Sequence, residues 1–272
     1  MSDDVDTQRD YERILELQIQ EGLSVHGRPA LGQFLSAVAC GLNLGIGVFA
    51  LFTMATQAGP LFSSVSTHIL MAVTYTFGFV FTIMARTELF TEHTTLAVLP
   101  VLAGKASARS LGRLWTFVYV GNFVGGSLFA LLMVPSGPAL ELIDPSAFRD
   151  TAMLFIDLSP FGVFSGAVLA GWLMALLSWI LTSVGDTISR VLVIVITTFV
   201  IGFGHLPHCV AGNIEVLSGM LAGAPISVTA WLGFLAVTTV GNVVGGVVFV
   251  ALLNYSHIVY GTEGGTNVVD TD

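Results

Sequence analysis

The sequence predicts an all-α membrane protein with six transmembrane helices in a 3+3 inverted repeat, the second and fifth of them broken. Three observations lead there. Of the 272 residues, 54% are hydrophobic and only 10% are charged, whereas an ordinary soluble domain carries about 25% charged residues. That is too little charge to cover a water-soluble surface, which excludes a soluble enzyme, a nucleic-acid binder and a disordered chain. Six long apolar stretches follow one another, near 31–56, 67–102, 112–134, 160–183, 187–221 and 229–256. Finally, Gly121-Asn-Phe-Val-Gly-Gly126 recurs 120 residues later as Gly241-Asn-Val-Val-Gly-Gly246.

The elements come in order. Residues 1–28 alternate charge with Tyr11, Ile14, Leu15, Leu17 and Ile19, an amphipathic helical pattern ahead of the membrane. The polar face is acidic, which favours packing on the cytoplasmic face over lying in the lipid interface. An acidic, polar start is not a signal peptide. Residues 29–258 form the six-span transmembrane domain, and 259–272 an acidic cytoplasmic tail. The second and fifth stretches exceed the roughly 20 residues of a simple span. Each holds a polar interruption, Arg86-Thr-Glu88-Leu-Phe-Thr-Glu92-His93 in one and His205-Leu-Pro207-His208 through Glu215 in the other. Backbone broken at membrane depth is tolerated only where it lines a cavity or is buried in protein.

Each half therefore has three spans, and an odd number forces opposite topologies, the inverted-repeat plan. The 120-residue offset places Phe129 opposite Phe249 and Glu88 opposite His208. Close helix approach accounts for Gly125, Gly126, Gly245 and Gly246, but not for an Asn kept in register in both copies. Six spans put both termini on one side, with Arg9, Arg13, Arg28, Lys105, Arg109, Arg113 and Arg190, against Arg149 on the other; Arg86 lies within a span. That asymmetry places both termini in the cytoplasm of a multi-pass cell-membrane protein.

Polar groups at membrane depth are costly unless partnered or hydrated. His208, after Pro207 and before a run of mostly small residues, is a candidate midplane proton donor or anion contact. A lone histidine is more often a satisfied core residue; a broken segment facing the Glu88 loop reverses that balance. His205, three residues earlier, could share a helical face with His208. The pair lacks a ligand set of known metal spacing, so neither metal nor cofactor is expected, and His205 belongs at a mouth or helix end. Thr87 and Thr91 either satisfy freed backbone groups or contact a permeant ion. Arg86, Glu88, Glu92 and Glu215 are charges in apolar runs; Arg86 is expected to pair with Glu88 or Glu215, more as a structural pair than as a substrate site. Cys40 and Cys209 read as buried free thiols. No nucleophile–base set points to an enzyme.

These motifs together resemble the formate/nitrite transporter family over about 30–256. They are Glu88-Leu-Phe-Thr91, Gly121-Asn122, Trp172-Leu173, His208-Cys-Val-Ala211 and Gly241-Asn-Val-Val-Gly-Gly246, in that order. Residues 87–92 and 210–215 look most similar to a YfdC-like branch. The resemblance implies an aquaporin-like protomer in a homopentamer, each protomer with its own pore for small monovalent weak-acid anions such as formate or nitrite. It implies that His208 is the central pore histidine, faced by Thr91. It also implies hydrophobic constrictions at Leu89, Phe79 and Tyr75, and at Phe199 or Ile201. Three departures stand out: Gly171 where the family has Asn, Glu92-His93 after Thr91, and no lysine near the start of the fourth span, where Arg149 is only a nearby candidate.

A bare anion at midplane costs several kcal/mol or more. Either half-helix N-termini and a cationic His208 offset that charge, or His208 donates its proton and the neutral acid crosses. The second route makes anion and proton travel together, and it is preferred. The alternative is a channel for a neutral solute such as ammonia on the same scaffold, favoured if Arg86, Glu92 and Glu215 line the pore.

Overall fold

The computed structural model of the chain describes residues 11–261. Arg9 and most of the tail expected at 259–272 lie outside the described residues. The amphipathic N-terminal pattern is realised as α1 (Tyr11–His26), whose buried face carries Ile14, Leu15, Ile19 and Val25 at helical spacing. The same face buries Gln18 and His26, and both are bonded. Gln18 Nε2 donates to the Ser178 carbonyl at 2.9 Å and to the Thr182 hydroxyl at 2.5 Å. The His26 ring nitrogens meet Ser110 Oγ and the Ala97 carbonyl, each at 2.8 Å. Thus α1 is seated in protein.

α2 (Ala30–Ala58) and α3 (Ser64–Met84) follow, then the short α4 (Phe90–Leu96) and α5 (Leu99–Leu102), and the long α6 (Ala108–Ala139). After them come α7 (Pro145–Ile156), α8 (Pro160–Ser183), α9 (Thr187–Phe203), α10 (Ala211–Leu221) and α11 (Val228–Gly246). The last runs through a π-helical stretch, Val247–Leu252, into α12 (Leu253–Gly261). α2, α3, α6, α8 and the continuous run 228–261 are long and apolar enough to cross a membrane; α9, at 17 residues, is apolar but shorter.

Local chemistry sets where the long helices start. Ser63, Ser107, Ser159, Asp186 and Ser227 each accept the backbone N–H three residues on, which satisfies a donor the first turn leaves open. α7 is a helix the sequence reading leaves out. Its signal is Asp144-Pro145: the aspartate caps Ser146 N–H, and proline at the first position costs no hydrogen bond.

α3 and α9 stop in the same way. After α3, Arg86 turns left-handed (φ 54°) and Thr87 N–H reaches back to the Thr82 carbonyl at 3.2 Å. After α9, His205 turns left-handed (φ 44°) and Leu206 N–H reaches the Ile201 carbonyl at 3.0 Å. This is a Schellman ending built without glycine, at a cost on the order of 1–3 kcal/mol at each turn.

Two helix pairs form the scaffold, α2 on α6 and α8 on α11. In both, glycine lets backbones touch. A Cβ on Gly41 would run into the Asn122 carbonyl, and one on Gly171 into the Asn242 carbonyl. This is the physical reason for Gly171: a larger residue there would push α11 away.

Candidate functional site

The two asparagines in register each hold a stretch of irregular backbone. Asn122 Nδ2 donates to the carbonyls of Ala37 (2.9 Å) and Glu88 (2.8 Å), while its Oδ1 accepts Phe90 N–H at 2.8 Å. Asn242 Nδ2 donates to Ala167 (2.7 Å) and Pro207 (3.1 Å), while its Oδ1 accepts Cys209 N–H at 2.9 Å. Both are fully buried. Backbone outside a helix exposes polar groups that burial makes costly; each amide side chain satisfies two of them, and its third bond ties the loop to a carbonyl within α2 or α8. The bonds also correct the register. Glu88 matches Pro207 and Phe90 matches Cys209, both 119 residues apart, so Leu89 corresponds to His208. The expected Glu88–His208 equivalence is one residue off, because the second half has one more residue between its loop and its asparagine.

His208 is buried at this junction. Its Nδ1 accepts Ala211 N–H at 3.2 Å, at the start of α10. The neutral ring therefore carries its hydrogen on Nε2, which lies 2.9 Å from Thr91 Oγ1. Phe79 and the imidazole meet nearly at right angles, with centroids 5.4 Å apart and 81° between the planes, and Tyr75 lies 5.2 Å from Phe79. Leu89 is fully buried. His205 does not share a helical face with His208, because residues 204–210 are not helical. It stacks instead on His68, at 4.3 Å and 17°. Among the described residues, no group of three or more metal-ligating side chains comes together.

A cavity lies to each side. The larger, about 590 Å³, is walled by Arg28, Arg86, Glu88, Glu92, His93 and Ile83 among others. The smaller, about 10 Å³, is lined by Tyr75, Ile201, His205, Leu206, Phe155 and Glu215 among others; that is room for about one water. One face of α3 runs between them. Tyr75 lines the small cavity, Phe79 packs on His208 and Ile83 lines the large cavity, a run of about 12 Å at helical rise.

The charges are arranged differently from expectation. Glu88 is bound by Arg28 and by His93. Arg86 is exposed on its left-handed turn; it lines the same cavity as Glu88 without pairing with it, and the opposite cavity from Glu215. Neither expected Arg86 pair forms. The Arg28–Glu88 contact spans 60 residues, so no local spacing could have revealed it. Of the two open alternatives on α9, Ile201 is buried and lines the small cavity, whereas Phe199 stacks on Phe203 at 5.6 Å. Cys40 and Cys209 are free and buried.

A model of the formate/nitrite transporter family matches residues 12–256. Inner membrane protein YfdC of Escherichia coli strain K12 is 31% identical over 248 residues, 88% of this chain and 76% of that protein. Two solved structures share the fold. An FNT family ion channel superposes with a TM-score of 0.78 at 24% identity, covering 93% of this chain and 98% of that one. A pentameric formate channel with formate bound superposes with a TM-score of 0.72 at 23% identity, covering 86% and 98%. Apolar spanning helices and these likenesses define a multi-pass membrane protein of the channel and transporter class, which is not a class of enzymes. The chain belongs to the formate/nitrite transporter family.

Proposed function

We propose that the protein carries small monovalent weak-acid anions, of the formate or nitrite type, across the cell membrane together with a proton handled by His208. The observation that carries this reading is the 2.9 Å contact between His208 Nε2 and Thr91 Oγ1, at the level of Phe79 and between two cavities. In this reading α3 with α4 and α5, and α9 with α10, are the two interrupted spans of a six-span, 3+3 inverted repeat. The matched asparagine bonds and helix endings support it. Both termini are cytoplasmic, with 1–28 and 259–272 flanking a channel domain at 29–258. Phe79, Leu89, Tyr75 and Ile201 form the apolar constriction. The likeness to a pentameric formate channel supports an aquaporin-like protomer assembled as a homopentamer.

The hydrogen bonds suggest how the proton moves. Nε2–H donates to Thr91, so the threonine keeps its own hydrogen for an anion's oxygen. A neutral imidazole cannot give up Nε2–H without becoming an imidazolate. It must first gain a proton on Nδ1, which means releasing the Ala211 N–H. The imidazolium then passes Nε2–H to Thr91 as Thr91 passes its hydrogen to the anion. The ring is left neutral with its hydrogen on Nδ1, and an uncharged acid faces Phe79 and Leu89, which removes the cost of a bare charge there.

A second reading, a path for a neutral solute such as ammonia, rests on one observation: carboxylates line both cavities, Glu88 and Glu92 in one and Glu215 in the other. A pH dye inside vesicles separates the two by sign. Entry of neutral formic or nitrous acid acidifies the lumen, whereas entry of ammonia makes it alkaline. The protein-dependent signal is expected to be acidification, falling about a hundredfold in His208→Phe. Acidification at the wild-type rate in that variant would sink the role of His208.

A further inference from the structure

The small cavity holds a second ionisable group at depth. Glu215 on α10 is 3% exposed. Other buried polar side chains of α10 are bonded: Asn213 to Ser127 and Trp231, and Ser218 to the Ile214 carbonyl. Glu88 is likewise bound, by Arg28 and His93. Among the described residues, Glu215 has no such ion pair. A buried carboxyl without a fixed partner is costly to keep for structure alone. This one forms a wall of the cavity, beside Tyr75 and Ile201 on the way to Phe79.

The ionisable groups around it are few. Tyr75 of α3 and His205 line the same cavity, and His205 is stacked on His68, whose Nε2 is buried without a partner. From α2 and α7, packed against α10, the cavity receives Leu51 and Phe155. Arg149 of α7 is engaged on the Ala222 carbonyl, past the C-terminal end of α10. His205 is half-buried, which connects this wall of the cavity to the outside.

We propose that the Glu215 cavity is a loading subsite for weak-acid oxyanions, deepening the reading above, on which it rests. A carboxylic acid has one O–H to give, and the complementary ligand is a carboxylate or nitrite oxygen, since O–H···O⁻ bonds are short and strong. In the loading step the Glu215 O–H donates a hydrogen bond to the anion and keeps its proton. The anion is held at the Tyr75–Ile201 passage and is protonated once, further in, at Thr91 and His208. A three-atom anion needs more room than one water, so occupancy of the subsite requires the half-buried His205 ring to give way.

The test uses the full chain in lipid nanodiscs, with infrared difference spectra on adding formate, nitrite or chloride, and flux in vesicles alongside. In the wild type, the carbonyl band of a protonated carboxyl shifts with formate and nitrite but not with chloride. The response is lost in Glu215→Gln and kept, displaced in frequency, in Glu215→Asp, which also reads the site if the glutamine variant fails to fold. Acid-coupled flux in Glu215→Gln falls about tenfold, below the usual effect of losing a positioned acid. No band change in the wild type overturns the proposal, as does a response surviving in Glu215→Gln or wild-type flux in that variant. A spectral response without flux in the wild type leaves the subsite standing and removes the transport reading instead.

Discussion

After α3, Arg86 takes the left-handed turn, Glu88 gives its carbonyl to Asn122 and Phe90 its amide; after α9, His205, Pro207 and Cys209 do the same with Asn242. What fills this shared frame differs. The first loop places a carboxylate where Arg28 and His93 bind it, and the fully buried Leu89 beside it. The second places proline at the carboxylate's position and histidine at the leucine's, with Nε2 turned to Thr91 of the first half. The backbone is held by asparagine whatever the neighbouring side chains are, so each loop carries its own chemistry: one a carboxylate tethered by Arg28 and His93, the other an imidazole bonded across to Thr91 of the first half.

Unequal responses in the two halves would break that comparison, and matched responses would sharpen it. The largest effect is expected at the asparagines. Asn122→Ala and Asn242→Ala each strip two buried loop groups of a partner and cut the tie to α2 or α8, and each should cost about 2–4 kcal/mol in thermal unfolding of the solubilised protein. A gap between them beyond about 1 kcal/mol would mean the frames are not equivalent. Next come Gly41→Ala and Gly171→Ala, which push a methyl into the partner carbonyl and should cost about 1–3 kcal/mol each, measured the same way.

Glu88→Gln tests the difference between the loops rather than their likeness. Arg28 is half-exposed, so water replaces much of what the lost charge supplied, and a loss of about 1–2 kcal/mol is expected. Its effect on flux should be small beside that of His208→Phe; equal effects would place Glu88 in the proton path. The smallest change is at the surface. Bonds from Ser189, side chain first and then backbone, hold the Asp186 carboxyl below the usual carboxylate range at the start of α9. A depressed folded value stabilises above the unfolded value, near 3.9, and that support is lost as pH falls through the folded value. Asp186→Asn should melt slightly lower at pH 7, and the gap should close in melts taken at progressively lower pH.

Much of this was legible in the chain. The apolar stretches read directly because a membrane helix must be apolar along its length. The repeated asparagine was visible, but its purpose was not, since its partners are backbone atoms of distant segments such as Ala37 and Pro207. The 119-residue loop register was hidden by a single extra residue that only the hydrogen bonds locate. Arg28 read as a topological charge, and its contact with Glu88 lies beyond any helical spacing. α7 was missed because a 12-residue helix of mixed polarity carries a weaker pattern than the spans around it. Ile201 and Phe199 stayed open because both are large, apolar and on one helix, and only packing tells them apart.

The seat of α1 bears on how the protein is made. Gln18 is held by Ser178 and Thr182, and the latter lies 164 residues further along the chain. At about 5–20 residues per second, the ribosome needs roughly 10–30 s after making Gln18 before that anchor exists. α1 must therefore wait unseated while the chain as far as Thr182 is made and threaded into the bilayer, which fits the exposed Arg13, Gln20, Glu21 and Ser24 on its outer face.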